Sequence, residues 1–121
     1  MSEQSFPLGT RRIGSSEPVL IIAEIGINHE GDAEACATMV EAAAKAGADA
    51  IKLQTVDADE NYAPGTDSYR IFSTSALTRE ETARMFDLIR SLGAEPFTTV
   101  GDFETLSWVD QLDPAAFKIS S

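Results

Sequence analysis

Three charged side chains lie inside strand-like apolar runs of this chain: Glu24 in Val19–Asn28 (VLIIAEIGIN), Lys52 in Ala50–Thr55 (AIKLQT) and Lys118 in Ala115–Ser121 (AAFKISS). A parallel strand is covered on both faces, so an ionised group there needs a counter-charge, a ligand or a water-lined cavity to offset its desolvation. The chain has only three lysines, and the third, Lys45, falls in the last turn of a predicted helix, where it complements the helix dipole. Side chains alternate along a strand, so Glu24 shares a face with Gly26 and Asn28, Lys52 with Gln54, and Lys118 with Ser120. A carboxylate, two ammonium groups, an amide and several hydroxyls around one cavity suit a small substrate carrying phosphate or carboxylate. The lysines would neutralise anionic oxygens, the hydroxyls orient them, and the carboxylate move a proton or hold a sugar hydroxyl. The competing reading is a Glu–Lys ion pair across neighbouring strands, which stabilises little and leaves Lys118 without a partner.

The elements that must position these groups follow from periodicity and punctuation. Residues 1–17 read as a polar lead-in with a short hairpin around Gly9 and Gly14, ahead of a first strand that ends near Asn28. Asp32 caps a predicted helix reaching about Ala46, with Ala35, Met39, Ala42, Ala43 and Ala46 as its apolar stripe and Gly47 closing it. A second strand spans Ala50–Thr55. A long polar connection, Val56–Ala76, includes Pro64, Gly65 and a helical turn at Tyr69–Phe72, and connections of this length commonly serve binding. Thr78 and Glu81 form a capping box for a helix that presents Met85, Ile89 and Leu92 and stops at Gly93. A strand at Glu95–Val100, a weaker helix at about Phe103–Leu112 and a fourth strand at Ala115–Ser120 complete the order βαβαβαβ.

The junctions AGADAIKL and LGAEPFTT repeat one β/α unit, which a parallel sheet with right-handed crossovers accommodates. An open doubly wound sheet and a (β/α)8 barrel compete. GINHEG lacks the glycine spacing of a dinucleotide-binding turn. Polar residues collect instead at the carboxyl end of every strand: Asn28 and His29, Gln54 and Thr55, Thr98 and Thr99, Ser120 and Ser121, as a barrel site requires. The expected fold is therefore α/β, the N-terminal half of a (β/α)8 TIM barrel, with about four parallel strands and three main crossover helices over residues 18–121. A whole barrel takes about 250 residues.

Composition narrows the partners. The 121 residues are 43% hydrophobic and 24% charged, with a formal net charge of -11 and a pI near 4.3. Nucleic-acid binding rests on clustered Lys and Arg, so an anionic ligand here must be held by a few local cations. No uncharged run approaches the ~18 residues of a membrane span, and the N-terminus MSEQSFPLGTRR lacks the apolar centre of a signal peptide, so a cytoplasmic location is expected. Cys36, the single cysteine, sits among helical alanines and reads as a small buried hydrophobe. His29, the single histidine, is a base, a ligand or a loop residue, and one histidine is too few for most transition-metal sites. The acidic run Asp57–Glu60 reads as a solvated loop. Tyr62, Tyr69 and Phe72 either cover a ligand or pack the connection.

The strings AEIGINHEGD at Ala23–Asp32 and AGADAIKLQT at Ala46–Thr55, followed by FTTVGDFETL at Phe97–Leu106 and FKISS at Phe117–Ser121, resemble the N-acetylneuraminate (sialic acid) synthase family over about Pro18 to Ser121. The resemblance implies a barrel that condenses phosphoenolpyruvate with an N-acetylhexosamine, usually N-acetylmannosamine, releasing phosphate and a nine-carbon 2-keto sugar acid. It implies Lys52, Thr99, Lys118 and Ser121 for phosphoenolpyruvate, Glu24 for the sugar and the proton chemistry, and Gln54 for hydrogen bonding to the sugar. Asn28 and His29 take a supporting place at the mouth of the site. A divalent metal, Mn2+ or Mg2+, is implied with ligands outside this chain, as are a C-terminal antifreeze-like domain and a homodimer for the intact protein. Two positions depart from the pattern. The third-strand motif commonly reads Ser-Thr-Pro-Phe where this chain has Thr98, Thr99, Val100 and Gly101, and Ser120 stands where glycine is usual. The isolated chain is expected to be inactive. Two alternatives remain open: another phosphoenolpyruvate aldolase with a phosphorylated sugar acceptor, and a non-catalytic half-barrel that associates through its sheet edges.

Overall fold

In a computed structural model of the chain, which describes residues 4–120, the polar lead-in forms an antiparallel hairpin of β1 (Ser5–Leu8) and β2 (Arg11–Gly14). Its turn uses Gly9 at a φ of 60°, a left-handed conformation that costs a residue without a side chain little. After β3 (Ile22–Gly26) come α1 (Ala33–Lys45) and β4 (Ala50–Thr55). The long connection holds α2 (Ala58–Asn61) and α3 (Asp67–Ser75), and α4 (Arg79–Ser91), β5 (Glu95–Val100), α5 (Phe103–Asp110) and β6 (Phe117–Lys118) follow. The second sheet is parallel throughout, in the order β3-β4-β5-β6. Each strand thus lies beside the next in sequence, as in successive units of a barrel.

Alternation sorts the side chains onto two faces. Outward-facing Ile25, Ile51 and Leu53 pack with Cys36 and Val40 of α1 and with Met85, Phe86 and Ile89 of α4. Each large apolar side chain removed from water there contributes about 1.5–3 kcal/mol. The Thr78–Glu81 capping box is formed in both directions, as the sequence indicates. Cys36 is fully buried, and burial pushes its thiol up to about 11, which keeps it inert. No helix among the described residues is long and apolar enough to cross a membrane.

The hairpin closes the amino-terminal end of the sheet. Leu8 packs against Ala50 and Phe97, and Thr10 donates to Glu95 Oε1 from its backbone N–H at 2.8 Å and its hydroxyl at 2.6 Å. Arg11 pairs with Asp49 at 2.6 Å, and the other oxygen of Asp49 accepts from the Ile21 N–H at 2.9 Å.

Three expectations need correction. The apolar stripe of α1 is rotated: Cys36 and Val40 are buried, whereas Ala42 and Ala46 are exposed, because the larger apolar side chains decide which face of an alanine-rich helix turns inward. The first strand begins at Ile22, and Val19 and Ile21 before it are exposed. The fourth strand is reduced to Phe117–Lys118, since only β5 flanks it.

Candidate functional site

The inner face of the parallel sheet carries the chemistry, and its register brings the groups together row by row. Glu24 on β3 lies beside Lys52 on β4, and Gln54 beside Thr99 on β5, which in turn lies beside Lys118 on β6. A register shift between Glu24 and Gly26 bends β3 at the point where its carboxylate leaves the sheet. These five side chains and Ser120 line an open concavity of about 610 Å³, with Ile22 and Phe97 as its apolar wall. Glu24, Lys52 and Lys118 therefore share one pocket.

The three charges are in different states. Lys52 is 8% exposed, and its ammonium lies 3.0 Å from Glu24 Oε2 and 3.1 Å from Oε1, with a further bond of 3.3 Å to the Leu53 carbonyl. Glu24 and Lys118 are exposed. The expectation of three charges inside covered strands thus holds only for Lys52, because the inner face has no second layer over it. Lys118 donates to the Ile119 carbonyl at 2.6 Å and has no carboxylate partner among the described residues. Two ammonium groups against one carboxylate leave a local positive charge in a molecule of net charge -11. That arrangement can hold an anion, with the Thr99 and Ser120 hydroxyls and the Gln54 amide available to orient it.

Asn28 and His29 are tied into the turn between β3 and α1 and do not line the concavity. Asn28 donates to the Ile25 carbonyl at 2.7 Å. His29 is buried, and its Nδ1 accepts from the Gly31 N–H at 3.0 Å. Burial lowers its pKa, against smaller upward pulls from a hydrogen bond to the Gly26 backbone and from the charges of Glu81 and Asp32. Both side chains bond backbone groups within that turn. Ser121 lies outside the described residues. Ser120, which alternation with Lys118 puts on the inner face, lines the concavity although the resemblance assigns it no binding role.

A second cavity of about 450 Å³ lies on the outer side, beneath the long connection, and gathers Tyr69, Phe72, Arg79 and Trp108. Its buried hydroxyls are already used: Thr55 bonds Thr98 at 2.8 Å, and Thr82 donates to the Thr78 carbonyl at 2.8 Å. Tyr62 stacks on Phe72 with ring centroids 4.9 Å apart, so these aromatics pack the connection.

Comparison with known proteins adds the following. A model described as the NeuB family matches residues 39–121. The spore coat polysaccharide biosynthesis protein SpsE of Bacillus subtilis is 33% identical over 128 residues, covering 97% of this chain and 34% of that protein. The N,N'-diacetyllegionaminic acid synthase of Legionella pneumophila is 33% identical over 127 residues, covering 93% of this chain and 36% of that protein. Among solved structures, an N-acetylneuraminic acid (sialic acid) synthetase from Leptospira borgpetersenii in complex with citrate superposes with a TM-score of 0.89 at 28% identity, over 97% of this chain and 41% of that one. The chain thus spans about a third of the length of these curated relatives.

Proposed function

The chain belongs to the NeuB family, and from that membership we propose that it supplies the phosphoenolpyruvate-binding half of a sialic-acid-type synthase barrel. The whole protein would join phosphoenolpyruvate to an N-acetylhexosamine, N-acetylmannosamine or a relative, to give a nine-carbon 2-keto sugar acid and phosphate. The observation that carries the reading is the convergence of Glu24, Lys52 and Lys118 in one concavity at the inner face.

In this reading Lys52, Lys118, Thr99 and Ser121 hold the phosphate and carboxylate of phosphoenolpyruvate, and Gln54 bonds the sugar. C3 of the enolpyruvate forms a bond to the aldehyde carbon of the open-chain sugar, and the aldehyde oxygen gains a proton. Water adds at C2 and loses a proton. The C2–O bond to phosphate then breaks with its electron pair leaving on phosphate, and the C2 hydroxyl gives up its proton to become the 2-keto group. Glu24 would hold a sugar hydroxyl or carry one of these protons, because its carboxylate is exposed to the concavity while its bond to Lys52 orients it. An anion arriving at Lys52 competes for the ammonium that Glu24 now holds, so binding of the first substrate frees the carboxylate for the second.

A divalent metal, Mn2+ or Mg2+, belongs to the proposal for the whole protein, where it would polarise the aldehyde. In this reading its ligands come from the rest of the barrel; among the described residues no three His, Cys, Asp or Glu side chains are grouped. His29 is buried in its turn, with Nδ1 accepting from the Gly31 N–H.

The test has two stages. Titrating phosphoenolpyruvate into the 121-residue chain should shift the amide signals of β4, β5 and β6 around Lys52, Thr99 and Lys118. With four further β/α units appended to complete the barrel, phosphoenolpyruvate-dependent ketoacid should form, and phosphorylated against unphosphorylated sugars would separate this reaction from that of a sugar-phosphate aldolase. A soluble completed barrel that binds metal yet turns over no N-acetylhexosamine would end the proposal.

A further inference from the structure

Two residues after Glu24, the backbone of β3 turns left-handed at Gly26, with a φ of 59°, and its register with β4 shifts between the two positions. A Cβ built at Gly26 would lie 3.3 Å from Glu24 Oε1, inside ordinary van der Waals contact. The carboxylate that pairs with Lys52 therefore stands over the space that Gly26 leaves without a side chain. Whatever fixes the course of the chain at Gly26 also fixes the place of that carboxylate.

His29 links Gly26 to the far end of the turn. It is 3% exposed, its Nδ1 accepts from the Gly31 N–H at 3.0 Å, and a hydrogen bond joins the ring to the Gly26 backbone. The Gly26 bond favours the protonated ring, so the imidazole donates there and Gly26 supplies its carbonyl. One buried ring thus spans the turn, accepting at one end and donating at the other. Gly31 is held in its turn against α3, since a Cβ there would meet the Thr74 carbonyl oxygen.

Both bonds together require the neutral ring. A proton on Nδ1 turns an acceptor into a donor that faces the Gly31 N–H, and the Gly31 bond is lost. The charged groups that face the ring are Asp32 at the N-cap of α1 and Glu81 in the first turn of α4. Both carboxylates favour the proton, and burial opposes it with the larger effect. Glu30, next to it in sequence, is exposed, and α3 brings Thr74 and Ser75 to Gly31, neither of which titrates.

We propose that His29 is a positioning residue for Glu24: its neutral imidazole, spanning Gly26 to Gly31, holds the end of β3 in the course that sets the Glu24 carboxylate against Lys52, and protonation releases that hold. The consequence for sugar binding and proton transfer at Glu24 rests on the synthase reading. The coupling of His29 to Glu24 does not.

Nuclear magnetic resonance of the 121-residue chain, from about pH 8 down past about 6.5, the ordinary histidine value, tests the coupling. The imidazole signals follow His29, while the Glu24 carboxyl carbon and the Lys52 side-chain signals follow the pair. The pair should show a step that shares the His29 midpoint. His29→Gln offers an acceptor and a donor that do not titrate, and should keep the pair near its wild-type signals with that step gone. His29→Leu has neither bond and should displace the pair at every pH. If acid unfolding comes before the histidine titrates, the contrast between the two variants at neutral pH decides alone. Pair signals that ignore His29 protonation, or that are alike in the two variants, overturn the assignment. In the completed barrel, turnover should fall on the acidic side with the His29 midpoint, and His29→Gln should lose that limb. His29→Leu should lower kcat about tenfold to hundredfold, the scale of a misplaced reacting group, with the KM for phosphoenolpyruvate little changed. Turnover that lacks the acidic limb overturns the assignment and leaves the synthase reading standing. A pair coupled to His29 in a completed barrel that does not turn over leaves the positioning standing and ends the synthase reading.

Discussion

The Glu24–Lys52 pair is asymmetric, and the asymmetry predicts opposite costs for its two members. Lys52 is buried and Glu24 is exposed. Removing Glu24 strands a buried ammonium, so Glu24→Ala should cost about 1–3 kcal/mol in urea unfolding. Lys52→Met leaves a carboxylate that water can take up, and its stability should stay within about 1 kcal/mol of wild type, while its phosphoenolpyruvate response disappears. Equal losses of stability would show that the carboxylate is as dry as the ammonium. His29 gives a prediction in pH. Burial lowers its folded-state pKa, so below about 6.5 the unfolded chain binds more protons than the folded one. Stability from this residue is complete above that pH and is lost as pH falls through it toward the lower folded value. Thermal unfolding at a series of pH values should show this slope in wild type and a flatter profile in His29→Gln. An unchanged profile would mean that the imidazole titrates as freely in the fold as outside it.

Contacts between elements are tested by two glycines of similar conformation. Gly31 has a φ of 80° and Gly47 a φ of 98°, so alanine pays a left-handed backbone cost of about 1 kcal/mol at either. A Cβ at Gly31 would also meet the Thr74 carbonyl oxygen in α3, whereas nothing lies within 4 Å at Gly47. Gly31→Ala should therefore exceed about 2 kcal/mol and Gly47→Ala should not, as read by denaturant unfolding. Equal costs would detach the β3–α1 turn from α3. The same local-versus-distant division explains what the sequence revealed. Helix α4 was legible because its cap is local: Thr78 and Glu81 satisfy each other's backbone within one turn. β4 and β5 were legible because their apolar runs are bounded by turn residues. The phase of α1 was not, since alanine marks no face. Helix α3 is rich in serine, threonine and β-branched residues, which favour helix weakly. Its form rests on the Thr66 cap, the Tyr62–Phe72 stack and a Tyr69–Asp59 bond of 2.7 Å. The charged part of the site was visible because lysines and a glutamate interrupt apolar strands. The closeness of Gly26 to the Glu24 carboxylate was invisible, because it follows from a register shift that no local pattern fixes.

At the scale of the molecule, the surface that carries the site is also the surface without cover. Ile22 is exposed on that face, Phe117 and Ile119 are exposed on the opposite side of β6, and among the described residues β3 and β6 each keep one free edge of the parallel sheet. Such a face associates unless something opposes it. The opposing term is charge: copies of net charge -11 repel one another. The Debye length falls from about 10 Å at 0.1 M salt to about 3 Å at 1 M, which removes the repulsion and leaves the apolar attraction. Light scattering of the 121-residue chain should therefore show monomers at low salt and growing association toward 1 M. If association covers the inner face, phosphoenolpyruvate must compete with it, because Lys52 and Lys118 cannot hold the ligand beneath another molecule. Added phosphoenolpyruvate should then move the onset of association to higher salt, and Lys52→Met should abolish that shift without abolishing association. Association that ignores phosphoenolpyruvate would run through the strand edges alone, leaving the concavity open. A chain that stays monomeric at every salt concentration would show that the half-barrel face and its strand edges tolerate water better than the exposed Ile22 and the unpaired edges suggest.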